Sequence, residues 1–345
     1  MKTQEHPAKF PATSTLCHRF GKLALGPCLF ASMSAVSPLH AEGDSQSVRT
    51  APVGLATLRV PARSARALSV PLANPAVYSG ALSAWEGTTL GVENAGWTQD
   101  QWGPFETNPH VVRVVTGGSA GQTFPILSNT VDTIVLPEGA GGRLVAGQRF
   151  EVVPVDTLAG LFGSNAEGFQ TDADPAKADN ILIHEGDAWA TYYNDGTQWL
   201  REGDTTTIQN AVPLLPDQGI FLVRKAGTPL VISVAGEVAP ATSASDLPAD
   251  TITFLANPFP INTRLADLQL QEEPLWKAGP DAASADRVHV YAGKKWTIYF
   301  FDGKRWRHEG GSARNPLVTK GSAIVVERIA GSDIVHTPEP PYSLN

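Results

Sequence analysis

Short apolar runs separated by Gly, Pro, Asn and Asp recur along this chain from about residue 50 onward. Residues 111–116, 133–136, 150–155, 219–223 and 321–326 are rich in β-branched or other apolar side chains, with turn formers such as Gly117-Gly118 and Asn129 between them. Runs of that length and content predict strands, because branched and aromatic side chains suit a pleated, half-buried surface. Helical spacing, with apolar residues near i, i+3 and i+4, occurs at 157–162 and 263–270 and predicts two short helices. The pattern is that of a mainly β protein.

Two stretches carry the same aromatic pattern. Trp189, Tyr192, Asp195, Gly196, Trp199 and Glu202 recur as Trp296, Tyr299, Asp302, Gly303, Trp306 and Glu309, all at one offset of 107. The same offset relates Leu158 to Leu265, Asp179 to Asp286, Ile181 to Val288 and Gly186 to Gly293. Downstream, Arg224-Lys-Ala-Gly227 meets Arg328-Ile-Ala-Gly331 at an offset of 104. A register held over so many positions signals an internal repeat. Within each copy, Asp-Gly between aromatic runs predicts a hairpin with a two-residue type I′ turn. That turn sets Tyr192 opposite Trp199 and Tyr299 opposite Trp306; a three-residue bulged turn shifts the pairing by one.

The repeat also exposes an insertion. Leu72-Ala-Asn-Pro75 matches Leu255-Ala-Asn-Pro258 at an offset of 183, which falls to 107 by Leu158, so the first copy holds 76 extra residues. Their own pattern is β, so they predict a small domain looped out of the parent module. The expected fold class is mainly β: two duplicated sandwich-like or barrel-like modules, the first with an inserted small β domain, and a few short helices. The expected domains are a signal peptide at 1–41, a first module at 48–79 plus 154–238, an insert at 80–153, a second module at 239–336 and a Pro-rich tail at 337–345.

Composition sharpens this picture in one respect. Lys2, Lys9, Arg19 and Lys22 precede an apolar run at 23–36 and a small-residue exit at Leu39-His40-Ala41. A basic start, a short apolar stretch and a small residue at the cut predict export, and the run is too short to span a bilayer. Cleavage after Ala41 would remove both cysteines, Cys17 and Cys28, leaving neither a disulfide nor a thiolate metal site. It would also remove four basic residues and one acid, making the formal net charge of −8 still more negative. That balance argues against nucleic acid and anionic membrane surfaces as partners, and no later segment is apolar enough to be transmembrane. The expected location is periplasmic, outer-surface or extracellular.

The order of motifs carries a resemblance. Pro52-Val-Gly-Leu55, Leu68-Ser-Val-Pro-Leu72, Trp97-Thr-x-x-Gln-Trp102, Val112-Arg-Val-Val-Thr-Gly-Gly118, Ser128-Asn-Thr130 and the two Tyr-x-x-Asp-Gly-x-x-Trp hairpins are similar to an uncharacterised family of exported proteins best known from the Verrucomicrobia. The repeated module also resembles a β module of surface-exported proteins of Bacteroidetes. The resemblance implies compartment and architecture and no activity. Many members of such families end in a sorting segment, whereas Thr337-Pro-Glu-Pro-Pro-Tyr-Ser-Leu-Asn345 is neither apolar nor basic.

Candidate chemistry is sparse. Gly117-Gly-Ser119-Ala-Gly121 fits the Gly-x-Ser-x-Gly string of hydrolases, but that nucleophile needs a strand-to-helix elbow, and a β-rich stretch follows here. His110, His184, His289, His308 and His336 show no His-x-x-x-His spacing, so no metal site and no cofactor are expected. Asp172, Asp174 and Asp179 are weak Ca²⁺ candidates, since the glycine and terminal Glu of a Ca²⁺ loop are missing. Tyr192, Trp199, Tyr299 and Trp306 read first as core, and second as a platform on which a glycan could stack. The expected function is that of an exported, non-catalytic envelope or surface protein, with envelope components or polysaccharide as partners. A glycan-binding module using the hairpin aromatics is the alternative, and a secreted hydrolase the third reading.

Overall fold

Antiparallel pairing organises the computed structural model, which describes residues 52–342 apart from 141–143, 187, 239–242 and 330. The leader expected at 1–41, with Cys17 and Cys28, lies outside the described residues. Two five-stranded sheets form the frame. In the first, the strands lie in the order Trp199–Arg201, Ala188–Asn194, Asn180–Glu185, Ile220–Arg224, Ser64–Leu68. In the second, the order is Trp306–His308, Lys295–Phe301, Arg287–Ala292, Ala323–Glu327, Ile252–Ala256. The two orders correspond strand for strand. Each sheet has a companion ribbon, Val53–Val60 with Leu230–Glu237 and Ser245–Leu247 with Ile334–His336. The protein is mainly β, and among its described residues no helix is long and apolar enough to cross a membrane.

Cross-strand partners agree between the modules with one correction. Ile183 faces Ile220 as Val290 faces Ile324. Ile220, however, pairs with Leu68 where Ile324 pairs with Leu255. By register Leu255 therefore corresponds to Leu68 and not to Leu72: Leu255-Ala256 ends its strand, whereas Leu72-Ala73 follows four residues beyond the end of the equivalent strand.

The insert is a body of two four-stranded sheets. Tyr78–Ala81, Arg149–Pro154, His110–Val114 and Thr123–Pro125 form one; Ala84–Glu86, Thr89–Gly91, Thr133–Val135 and Ser128–Asn129 form the other. Leu90, Val112, Ile126, Ile134 and Val152 fill the space between them, closed by Tyr78, whose ring meets Trp97 edge-on at 5.0 Å. Gly117-Gly-Ser119-Ala-Gly121 connects two strands of the first sheet, with Gly117 and Gly121 at φ of 86° and 88°. It is a glycine turn within a sheet, without the helix that a hydrolase elbow requires.

The two expected helices differ from each other. Leu158–Phe162 is α-helical and starts at Thr157, whose Oγ1 accepts from Gly160 N. The stretch 263–270 instead begins as a ladder strand, Thr263–Arg264, and continues as 3₁₀ turns at Leu265–Leu268 and Leu270–Glu272. Gln269 between them has φ 60°, which breaks helical continuity.

The hairpin register also needs correction. Asn194 faces Trp199 and Tyr192 faces Arg201; Phe301 faces Trp306 and Tyr299 faces His308. The loops are four residues long because the Asp side chain closes them from within. Asp195 Oδ1 accepts from Thr197 N and Gln198 N, and Asp302 Oδ1 from Lys304 N and Arg305 N. Only the glycines, Gly196 and Gly303, take positive φ.

Each module is pinned by the same buried ion pair. Asp179 is bonded to Arg224, and its carboxylate also accepts from Gln170 N and Lys225 N. Asp286 lies 3.5 Å from Arg328 and accepts from Lys277 N and Ile329 N. All four charged side chains are buried. The recurring Asp thus ties strand entry, preceding loop and closing strand together.

Candidate functional site

Strand alternation decides which aromatics can reach a ligand. Ala190 and Tyr192 point into the first core, so Trp189, three residues before Tyr192, projects from the opposite face. Trp296 stands in the same relation to Tyr299 in the second sheet. Trp199 is 0% exposed and its Nε1 donates to Gly163 O; Trp306 is 3% exposed and its Nε1 donates to Gln271 Oε1. Tyr192 and Tyr299 are buried with them. The stacking platform of Tyr192, Trp199, Tyr299 and Trp306 is therefore corrected: these side chains build the two cores, and no sugar face can lie on them.

The outer faces of the two sheets meet each other. Ala67 packs with Phe254, Ala323 and Val325, flanked by Phe221 and Tyr291. Gly219 and Ala323, which precede equivalent strand positions, approach so closely that a Cβ on Gly219 would lie 2.4 Å from that of Ala323. Gly219 N donates to Phe254 O and Ala256 N to Asp217 O, at 2.7 and 2.9 Å. Trp189 crosses to Phe254 with ring centroids 5.2 Å apart, and Trp296 stacks on Phe221 at 5.8 Å and 23°. Even so, Trp189 stays 43% exposed and Trp296 39%.

Beside this contact lie two hollows that share Ile252. The first, about 710 Å³, is lined by Trp189, Trp296, Ile252, His289, His308 and Lys295. His289 is held at 2.8 Å by Glu327, which also binds Arg287. His308 Nδ1 accepts from Gly310 N at 2.8 Å, which leaves the ring proton on Nε2 as a donor. The second hollow, about 830 Å³, is lined by His184, Asp217, Asp246, Asp250, Phe254 and Glu327.

Burial pushes the Asp217 carboxyl up to about 6, and the negative charge of Asp246 adds to the effect. A carboxyl raised above its ordinary 3.8 holds its proton more tightly in the folded chain. Its charged form therefore costs stability, with the cost growing from about pH 4 and complete above about pH 6. Asp217→Asn is expected to stabilise the protein at pH 7.5 by roughly 1–3 kcal/mol and to have no effect below about pH 4. Urea melts at both pH values check this; an equal gain at both would refute it.

The weak Ca²⁺ candidates do not converge. Asp172 accepts from Asp174 N, Asp174 accepts from Ala176 N and pairs with Lys177, and Asp179 turns inward to Arg224. Among the described residues no group of three His, Cys, Asp or Glu side chains could hold a metal ion. Sequence reasoning missed Trp189 and Trp296 as site residues although the signal was there. In a strand, residues three apart face opposite ways, so assigning Tyr192 and Tyr299 to the core exposes the preceding tryptophans.

Comparison with known protein families, with curated proteins and with solved structures found no match to this chain. The functional reading consequently rests on the geometry of the groove itself.

Proposed function

We propose that this chain is an exported, non-catalytic envelope or surface protein that holds a saccharide in the groove over Trp189 and Trp296. The observation carrying the reading is a pair of half-exposed indoles set at the rim of one hollow. An indole face offers flat apolar area to the C–H face of a pyranose, while surrounding polar groups can take its hydroxyls. His308 Nε2, Lys295 and Thr297 supply such groups. Glu327, which lines the neighbouring hollow, is engaged by Arg287 and His289, and Glu309 is the one carboxylate among the residues lining the groove, so the groove offers aromatic faces, donors and a single acid. Export is supported by the basic leader, its apolar run and the small-residue exit at Ala41.

A panel of neutral and acidic polysaccharides, followed by titration calorimetry, tests the groove. Trp189→Ala and Trp296→Ala are each expected to weaken binding about tenfold or more. Absence of binding across the panel, or affinity indifferent to both substitutions, would refute the reading. The raised carboxyl of Asp217 beside Asp246 favours a hydrolase as the second reading, since a general acid works best with a pKa near the operating pH. Release of reducing ends from a bound polysaccharide, abolished by Asp217→Asn, would establish it in place of the non-catalytic one.

A further inference from the structure

A third hollow, of about 480 Å³, lies at the tip of the second aromatic hairpin. Lys304, Arg305, Arg314 and Asn315 line it, with Phe301 and Trp306 as an apolar floor. No carboxylate is among its lining residues. The three cationic side chains are exposed, and none of them pairs with a carboxylate among the described residues.

Two nearby acids, Asp302 and Asp267, are already committed. Asp302 receives the Arg307 guanidinium together with Lys304 N and Arg305 N, and Arg307 above all holds its carboxyl down at about 2. The same bonds fix the backbone that carries Lys304 and Arg305, so these cations stand on a pre-set turn. Asp267 accepts from Arg264 N, and the Arg264 guanidinium donates to Asn315 O, adding a fourth positive charge at the edge.

The first module shows that the fold does not require this charge. Its hairpin has Thr197 and Gln198 where the second has Lys304 and Arg305. Gln209 N donates to Trp199 O as Arg314 N donates to Trp306 O, so Gln209 stands in the place of Arg314. The first module thus builds the same turn from neutral residues. Three cations cluster on one rim although acids outnumber bases in the chain, 34 to 26.

We infer that this hollow binds the charged groups of an acidic polysaccharide, one bearing carboxylates or sulfates along its length. A volume of about 480 Å³ exceeds the needs of one oxyanion and lies in the range of ligand pockets, ~300–1,000 Å³. Trp306, at its floor, is too buried to stack a nucleobase, which single-stranded nucleic acid sites depend on. The strand Trp306–His308 joins this hollow to the indole groove, which His308 lines. Two residues of strand span roughly 7 Å, so one extended chain can touch both sites. In that respect the inference rests on the saccharide reading and makes its ligand anionic.

The test compares the full chain with a variant carrying the neutral residues of the first module, Lys304→Thr, Arg305→Gln and Arg314→Gln. All three positions are exposed, and a melt confirms folding. The probes are polygalacturonate, dextran sulfate, neutral dextran, phosphatidylglycerol vesicles and single-stranded DNA. Polygalacturonate or dextran sulfate is expected to bind the native chain with an affinity that falls on going from about 0.05 to about 0.5 M salt. The variant should lose about tenfold or more of that affinity. Unchanged affinity in the variant, or acidic polymers binding no better than neutral dextran, overturns the inference while leaving the indole groove intact. Tighter binding of vesicles or DNA than of either acidic polysaccharide overturns it as well. Affinity lost in the charge variant but kept in Trp189→Ala and Trp296→Ala would retain the basic site and remove the groove.

Discussion

Trp199→Ala is expected to cost about 3–5 kcal/mol, and Trp306→Ala a matched amount, as large aromatic deletions in packed sites do. Trp199 lies within 6 Å, centroid to centroid, of Phe162 and Phe169, and Trp306 stands beside Trp276 and Phe301. Truncation would leave a cavity in each core and an acceptor without its indole donor, Gly163 O in one module and Gln271 Oε1 in the other. The equivalent surroundings are why the two losses should match. Urea denaturation of both variants provides the measurement. Losses under about 1 kcal/mol at both sites would show that these indoles are not core.

Removing either buried carboxylate should be comparably severe. Asp179→Ala strands Arg224 in the interior and leaves Gln170 N and Lys225 N without their acceptor. Breaking one side of a buried pair in this way costs about 3–5 kcal/mol, because the remaining charge stays desolvated. Asp286→Ala does the same to Arg328, Lys277 N and Ile329 N. Each guanidinium keeps backbone carbonyls, Gly168 and Thr228 for Arg224 and Leu247, Leu275 and Ser332 for Arg328, which soften but do not replace the lost charge. The doubly apolar variant Asp179→Leu/Arg224→Met should recover much of the loss, since no unpaired charge remains. A double-mutant cycle showing coupling near zero would refute the staple.

Much of this architecture was legible before any coordinates. The offset of 107 joins pairs that the sheets place alike, such as Ile183 and Val290, because both the pleat and the core demand the same period. Asp179 and Asp286 stood out as equivalent positions of the repeat, but their pairing with arginine could not be read, since Arg224 and Arg328 lie more than 40 residues away in sequence. The hairpin register was misjudged by local reasoning for a related cause. Asp-Gly favours a two-residue turn in isolation, but here the Asp carboxylate takes its own loop's N–H groups and lengthens the loop to four.

The groove was not legible in the sequence. Periodicity determined a mainly β chain and two aromatic hairpins, because each depends on neighbours within a few residues, and the change of repeat offset from 183 to 107 revealed the inserted segment. Only the tertiary structure decided which tryptophans are core and which are accessible. That depends on two sheet faces meeting across residues as distant as Gly219 and Ala323, a contact whose distance and chemistry no local pattern encodes. The basic hollow has the same origin: Lys304, Arg305 and Arg314 become one site only because the hairpin folds Arg314 N back onto Trp306 O.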